Sequence, residues 1–178
     1  AGIRPDIISY NAVMNACAKS GEHVSCGKWL MKAVQVGLTP TIVSYNTVMN
    51  AYAKAGDHLR AGSFLDQARR AGLKPNIVSY NTVLNAYAVA GEPDKAEHLL
   101  ASISEAGIRP NVVSYNTVMN AYGKSELSKA ECTRRAKDLH HRMLADGIRP
   151  DNTFLGITRR ICGSQGFKSV MEVPSEAM

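Results

Sequence analysis

Apolar residues along the chain recur with a helical period, and they do so in matched blocks. Tyr10, Val13, Met14 and Cys17 fall at i, i+3, i+4 and i+7, the spacing that lines one face of an α-helix. Tyr45, Val48, Met49 and Tyr52 repeat that stripe, as do Tyr80, Val83, Leu84 and Tyr87. A second stripe follows the first, with Ala61, Phe64, Leu65 and Ala68 in one block and Ala96, Leu99, Leu100 and Ile103 in the next. Gly21, Gly56 and Gly91 separate the two stripes. Gly37, Gly72, Gly107 and Gly147 close the second, with a proline a few residues beyond, the order that helix C-termini favour. The pattern predicts helix-turn-helix units.

The units are near copies. Ser9–Ala16 is SYNAVMNA, Ser44–Ala51 is SYNTVMNA, Ser79–Ala86 is SYNTVLNA and Ser114–Ala121 is SYNTVMNA, each starting 35 residues after the last. Pro5, Pro40, Pro75 and Pro110 keep the same beat, but Pro150 comes 40 residues later, so the fourth unit carries five extra residues, placed within Ser125–Arg135. A fifth unit opens with Asp151–Cys162 and lacks the SYN phrase. A single helical hairpin cannot bury both of its stripes, whereas stacked neighbours close a continuous core. The expected fold is all-α: a right-handed α-solenoid over residues 1–178, with repeats at 7–41, 42–76, 77–111 and 112–151 and a partial capping unit at 152–178.

Composition narrows the class without changing the fold. The chain is 45% hydrophobic and 20% charged, ordinary values for a folded domain, and no apolar run is long enough for a membrane-spanning helix. A formal charge of +6 favours an anionic partner. The opening Ala-Gly-Ile-Arg-Pro-Asp matches the end of each later repeat, so the N-terminus is expected to be a cut or processed edge, with any targeting peptide removed. Cys17, Cys26, Cys132 and Cys162 form no C-x-x-C pair, and the five histidines lack ligand spacing. No metal site, cofactor, disulfide framework or enzymatic apparatus is therefore expected.

The candidate chemistry lies on the polar face of each first helix. Asn11 and Asn15, Asn46 and Asn50, Asn81 and Asn85, and Asn116 and Asn120 stand four residues apart in successive copies. Asparagine is a mediocre helix former, so the repetition asks for a reason. Lys19, Lys54 and Lys124 follow one turn later, with Val89 in the remaining copy. Amides followed by ammonium groups suit a base edge beside a phosphate; a solvated helix face is the plainer alternative. Asp6, Thr41, Asn76, Asn111 and Asp151 follow the prolines and all suit a helix N-cap.

The phrase P-N-[IV]-V-S-Y-N-T-V-[LM]-N-A-Y, with G-[IL]-[RK]-P closing the unit, resembles the plain 35-residue (P-type) class of the pentatricopeptide repeat family over residues 1–162. A tetratricopeptide array has a period of about 34 and a W-x2-L-G-x2-Y signature that this chain lacks. The resemblance implies sequence-selective, non-catalytic binding of single-stranded RNA, about one base per repeat, in a mitochondrion or chloroplast. It implies base reading by Asn11 with Thr41, Asn46 with Asn76, Asn81 with Asn111, and Asn116 with Asp151. It also implies base packing by Ile8, Val43, Val78 and Val113, with the RNA running 5′ to 3′ alongside the protein from N to C. The implied site is pyrimidine-rich, 5′-YCCU-3′, and Lys19, Lys54 and Lys124 are the expected phosphate contacts.

Two departures, and one basic segment weighed beside them, bear on that expectation. The insertion separates Asn116 from Asp151 and threatens to displace the pair. Gly156 stands where a fifth reading Asn would be, so the last unit is expected to cap the stack. The stretch with Lys124, Lys129, Arg134, Arg135, Lys137 and Arg142 is the most basic, interrupted by Glu126, Glu131 and Asp138; it is either an outside phosphate contact or a solvated helix extension. A structural subunit that grips protein partners inside a larger complex is the alternative function.

Overall fold

The computed structural model describes residues 5–172, and among them every regular element is an α-helix. In chain order these are α1 (Ile7–Lys19), α2 (His23–Gln35), α3 (Ile42–Lys54), α4 (His58–Arg70), α5 (Ile77–Ala90), α6 (Pro93–Glu105), α7 (Val112–Lys124), α8 (Lys129–Ala145) and α9 (Asn152–Met171). The expected turn glycines all take positive φ, from Gly21 through Gly147. Gly91 is the most constrained, because an added Cβ would lie 2.7 Å from the Lys124 carbonyl oxygen. The residues after the prolines do cap helices. Asp6 accepts from Ser9 N, Asn111 from Ser114 N and Asp151 from Phe154 N, while Asn76 Oδ1 accepts from Val78 N and Ser79 N, both at 3.1 Å. Each such bond satisfies an N–H that the helix itself leaves without a partner.

The chain forms two compact units, the first ending at Ala86 and the second beginning at Tyr87, within α5. In the first, α1 pairs with α2 and α3 with α4, and α3 also packs on α1 and α2. The predicted stripes supply the core: Met14, Leu30, Val48, Met49, Leu65 and Leu84 are buried. One expectation fails in part, since Val13 is 37% exposed while its counterpart Val48 is fully buried. The cause is packing: α3 has the preceding pair against it, and no described helix covers that side of α1.

In the second unit α7 packs against α6 and α8, and α9 packs on α7 and α8. Phe154, Ile157, Cys162 and Val170 of α9 are buried, and His140 Nδ1–H donates to the Val170 carbonyl at 2.8 Å. α9 is broken at Gly163, whose φ of 72° and ψ of −179° are not helical. Residues 173–178 of the expected capping unit lie outside the described residues.

The insertion has a simple structural solution. The turn before α8 holds four residues, 125–128, and α8 runs for 17 residues where α2, α4 and α6 run for 13. One extra residue lengthens the turn and a little over one helical turn absorbs the rest. Two of the five lysines and arginines of this helix form ion pairs. Arg134 pairs with Glu131 and Asp138, and Arg135 pairs with Glu131, Asp94 and Glu97. The arginines hold the Glu131 carboxyl down at about 2 by hydrogen bonding. These two arginines are committed to carboxylates, and Arg135 reaches across to Asp94 and Glu97 of α6.

Candidate nucleic-acid interface

The N-terminal turn of each first helix sets one apolar side chain in solvent. Ile8, Val43, Val78 and Val113 are 72%, 63%, 59% and 55% exposed. A large exposed apolar residue is unremarkable singly, but the same register in four helices places an apolar platform beside each predicted reading asparagine.

In the first unit these platforms line clefts. One, of about 510 Å³, is bounded by Asn15, Lys19, Val43, Asn46, Thr47, Asn50, Lys54, Val78 and Thr82. A second, of about 420 Å³, is bounded by Asn50, Lys54, Val78, Asn81, Thr82 and Asn85. The structure therefore brings together the predicted packing residues Val43 and Val78, the readers Asn46 and Asn81, and the lysines Lys19 and Lys54. Both lysines end their helices and are exposed, as cations favoured by the helix dipole. The partner asparagines Asn15, Asn50 and Asn85 are exposed in the same clefts.

The structure also supplies connections that the sequence reading missed. Ser44 Oγ donates to Asn11 Oδ1 at 2.7 Å and accepts from Thr41 N at 3.1 Å. Ser79 Oγ donates to Asn46 Oδ1 at 2.7 Å and accepts from Asn76 N at 3.2 Å. In each case one serine links the asparagine of one repeat to the residue after the next proline, joining the two predicted readers of a pair. Thr47 and Thr82, also unforeseen, return their hydroxyls to the Val43 and Val78 carbonyls at 3.0 and 2.8 Å, and both line the larger of these clefts. The available signal was the serine two residues before every reading asparagine, fixed in all four copies.

In the second unit Asn111 caps α7, Val113 stands exposed on its first turn, and Lys124 ends it in solvent. The insertion does not separate the last pair: Asn116 Nδ2 donates to both Asp151 carboxylate oxygens, at 3.1 and 3.3 Å. The Asp151 carboxyl lies below its ordinary range, first because it accepts from Phe154 N and also because of Asn116. Asn116 Oδ1 is buried and has no hydrogen-bond partner. Phe154 stands at the register held by Ser44 and Ser79, so the donor that serves Asn11 and Asn46 is missing here. Arg160 Nη2 covers the next asparagine, donating to Asn120 Oδ1 at 3.3 Å.

Among the described residues no group of three or more His, Cys, Asp and Glu is placed to hold a metal ion, and no helix is long and apolar enough to cross a membrane. All four cysteines are free, and burial pushes the Cys26 thiol up to about 11.

Helix pairs on a 35-residue beat, each presenting an apolar residue, an amide and in most copies an ammonium group, define a helical-repeat protein with a repeated polar surface. A family model described as pentatricopeptide repeat domain matches residues 1–55 and 63–125, and one described as PPR repeat family matches 40–81. The chain belongs to the pentatricopeptide repeat family. The crystal structure of the pentatricopeptide repeat protein PPR10 from maize is similar, with a TM-score of 0.81 and 26% identity over 95% of this chain and 24% of that one. The same maize protein in complex with an 18-nt psaJ RNA element matches with a TM-score of 0.75 and 26% identity, over 98% of this chain and 25% of that one. The PPR domain of Arabidopsis thaliana protein-only RNase P 1, in complex with tRNA, shares the fold at 13% identity, with a TM-score of 0.70 over 92% of this chain and 90% of that one. The chain thus spans about a quarter of the maize protein it resembles. No curated protein matches it in sequence.

Proposed function

We propose that this chain binds single-stranded, pyrimidine-rich RNA, selectively by sequence and without catalysis. The observation that carries the reading is the repeated triad in the first unit: an exposed valine, an asparagine amide and a lysine around one cleft. A base stacks on the apolar side chain, the amide meets its Watson–Crick edge, and the ammonium group meets the phosphate. Binding of an RNA element by the maize relative supports the same reading.

The amides give a preference for cytosine over uracil a physical basis. Asn46 and Asn76 each have the side-chain oxygen engaged by the protein, leaving NH2 groups as donors. Cytosine offers acceptors at both O2 and N3, whereas uracil carries N3–H. Asp151 instead offers a carboxylate, which suits that N3–H. Read from Asn11 with Thr41 through Asn116 with Asp151, the site is 5′-YCCU-3′, with the RNA running 5′ to 3′ from protein N to C. The array is of the P-type class and works in a mitochondrion or chloroplast.

Fluorescence anisotropy with a pyrimidine 10-mer containing UCCU, a purine 10-mer and a duplex tests this, each at low and moderate salt. Tight, salt-dependent binding of the pyrimidine strand alone is expected. Equal affinity for all three would remove base reading. No binding to any of them would favour a protein-binding scaffold.

A further inference from the structure

The geometry points to Ser44 and Ser79 as positioning residues that decide which end of a reading asparagine faces the base. This inference rests on the RNA-binding reading above. Both serines are buried, at 1% and 0% exposure, and neither is placed to touch a ligand. Each hydroxyl reaches back 33 residues to the asparagine of the preceding repeat, at 2.7 Å. Its oxygen meanwhile accepts the N–H of the residue after the proline.

A hydroxyl has a single proton to give. With its oxygen serving the N-cap amide, Ser79 gives that proton to Asn46 Oδ1. Rotating the Asn46 amide by a half-turn would set its NH2 against Ser79 Oγ and send the proton to Asn76 Oδ1. That contact is longer, at 3.3 Å, and Asn76 Oδ1 already accepts two backbone N–H groups. The serine therefore holds the amide with its oxygen inward and its NH2 toward the cleft. Asn46 presents donors only, and the preference for cytosine over uracil at its position is set by a residue that never meets the RNA.

The molecule contains two natural controls. Ser9 occupies the same register in α1, where its hydroxyl donates to Asp6 Oδ1 at 2.7 Å, and no reading asparagine of a preceding repeat lies among the described residues. At the other end Phe154 replaces the serine. There the Asn116 amide directs its NH2 to Asp151, and its oxygen is left buried without a donor. Where the hydroxyl is missing, the amide is arranged differently.

The experiment is competition binding of 5′-UCCU-3′ against 5′-UUCU-3′ in a fixed flank, for the wild-type chain, Ser79→Ala, Ser79→Thr and Ser9→Ala. The wild type prefers C at the second position. Ser79→Ala brings that preference close to one while leaving the C-over-U ratio at the third position unchanged. Ser79→Thr, which keeps the hydroxyl, retains it, and Ser9→Ala alters neither ratio although it removes a hydroxyl that donates to a capping carboxylate. A wild-type ratio in Ser79→Ala overturns the positioning role. A wild type with no preference at any position overturns the RNA reading itself, which separates the two failures. Should Ser79→Ala not fold, the side-chain amide of Asn46 in the RNA-free protein decides by NMR: one ordered NH2 pair upholds the assignment, and motionally averaged signals overturn it.

Discussion

The first unit and the end of the second use the same side chain in opposite ways. Near Asn46 the amide oxygen is satisfied from within the fold, and the NH2 group stays available in a cleft bordered by valines and lysines. At Asn116 the NH2 group is consumed by Asp151, the oxygen is orphaned, and the neighbouring Asn120 is covered by Arg160. An identical SYNTVMNA phrase underlies both. The difference comes from what the following repeat contributes: Ser79 in one case, Phe154 in the other. A repeat's surface chemistry is completed by its neighbour, so identical repeats need not be equivalent sites.

The largest expected effect comes from removing the residue that makes the last repeat different. Phe154 is fully buried, and Phe154→Ala should destabilise the chain by about 3–5 kcal/mol. In native-state hydrogen exchange the loss should concentrate in α7–α9, because repeat stability is a sum of local and nearest-neighbour terms. Equal loss of protection in α1–α4 would show that the two units do not respond separately.

Next in size is a direct comparison of the two asparagines. Asn46→Ala should weaken binding to a UCCU strand by about 1–3 kcal/mol, the usual range for a base-edge contact. Asn116→Ala should cost clearly less affinity, since its NH2 group is already engaged. It should also leave the melting temperature nearly unchanged, because removing a buried unpaired oxygen offsets the lost bond. Parallel titrations of both variants measure this; equal losses would erase the distinction between an open and a closed amide.

A smaller effect should follow from Asn76→Asp, which gives the first-unit pair the carboxylate found at Asp151. Preference at the second base should move from C toward U by on the order of 1 kcal/mol. Asp caps a helix as well as Asn does, so the thermal transition should stay intact. Unchanged competition between UCCU and UUCU would leave Asn76 as a cap alone.

The smallest effect concerns the C-terminal packing. Burial lowers the proton affinity of His140, against the opposing pull of the Val170 carbonyl, with the His141 charge acting the same way as burial. The unfolded chain takes up a proton near pH 6.5 while the folded ring resists it. Stability is thus complete above that pH and declines as pH falls, until the folded ring also protonates. Melting temperature followed from pH 7.5 to 5 should show a modest downward slope that His140→Gln flattens. A slope unchanged in that variant would place the titration elsewhere.

Much of this molecule was legible in its residues. The stripe positions Tyr45, Val48, Met49 and Tyr52 are buried as their spacing requires, because helical period and burial are coupled within a few turns. Caps and turn glycines were equally local. Val13 is exposed because its burial depends on a neighbour on the other side of α1, and none lies among the described residues. The spacing around Asp151 suggested displacement, yet the added residues form a little over one helical turn and the pair still meets.

By itself the sequence determined the helices, their pairing into 35-residue units and the side chains offered at each first helix. All of these follow from propensity, capping and period acting over short stretches of chain. Only the tertiary structure decided which of those side chains remain available. That depends on a hydroxyl or a phenyl ring arriving from the next repeat within hydrogen-bond distance of an amide, and a contact across 33 residues is a property of packing rather than of local pattern.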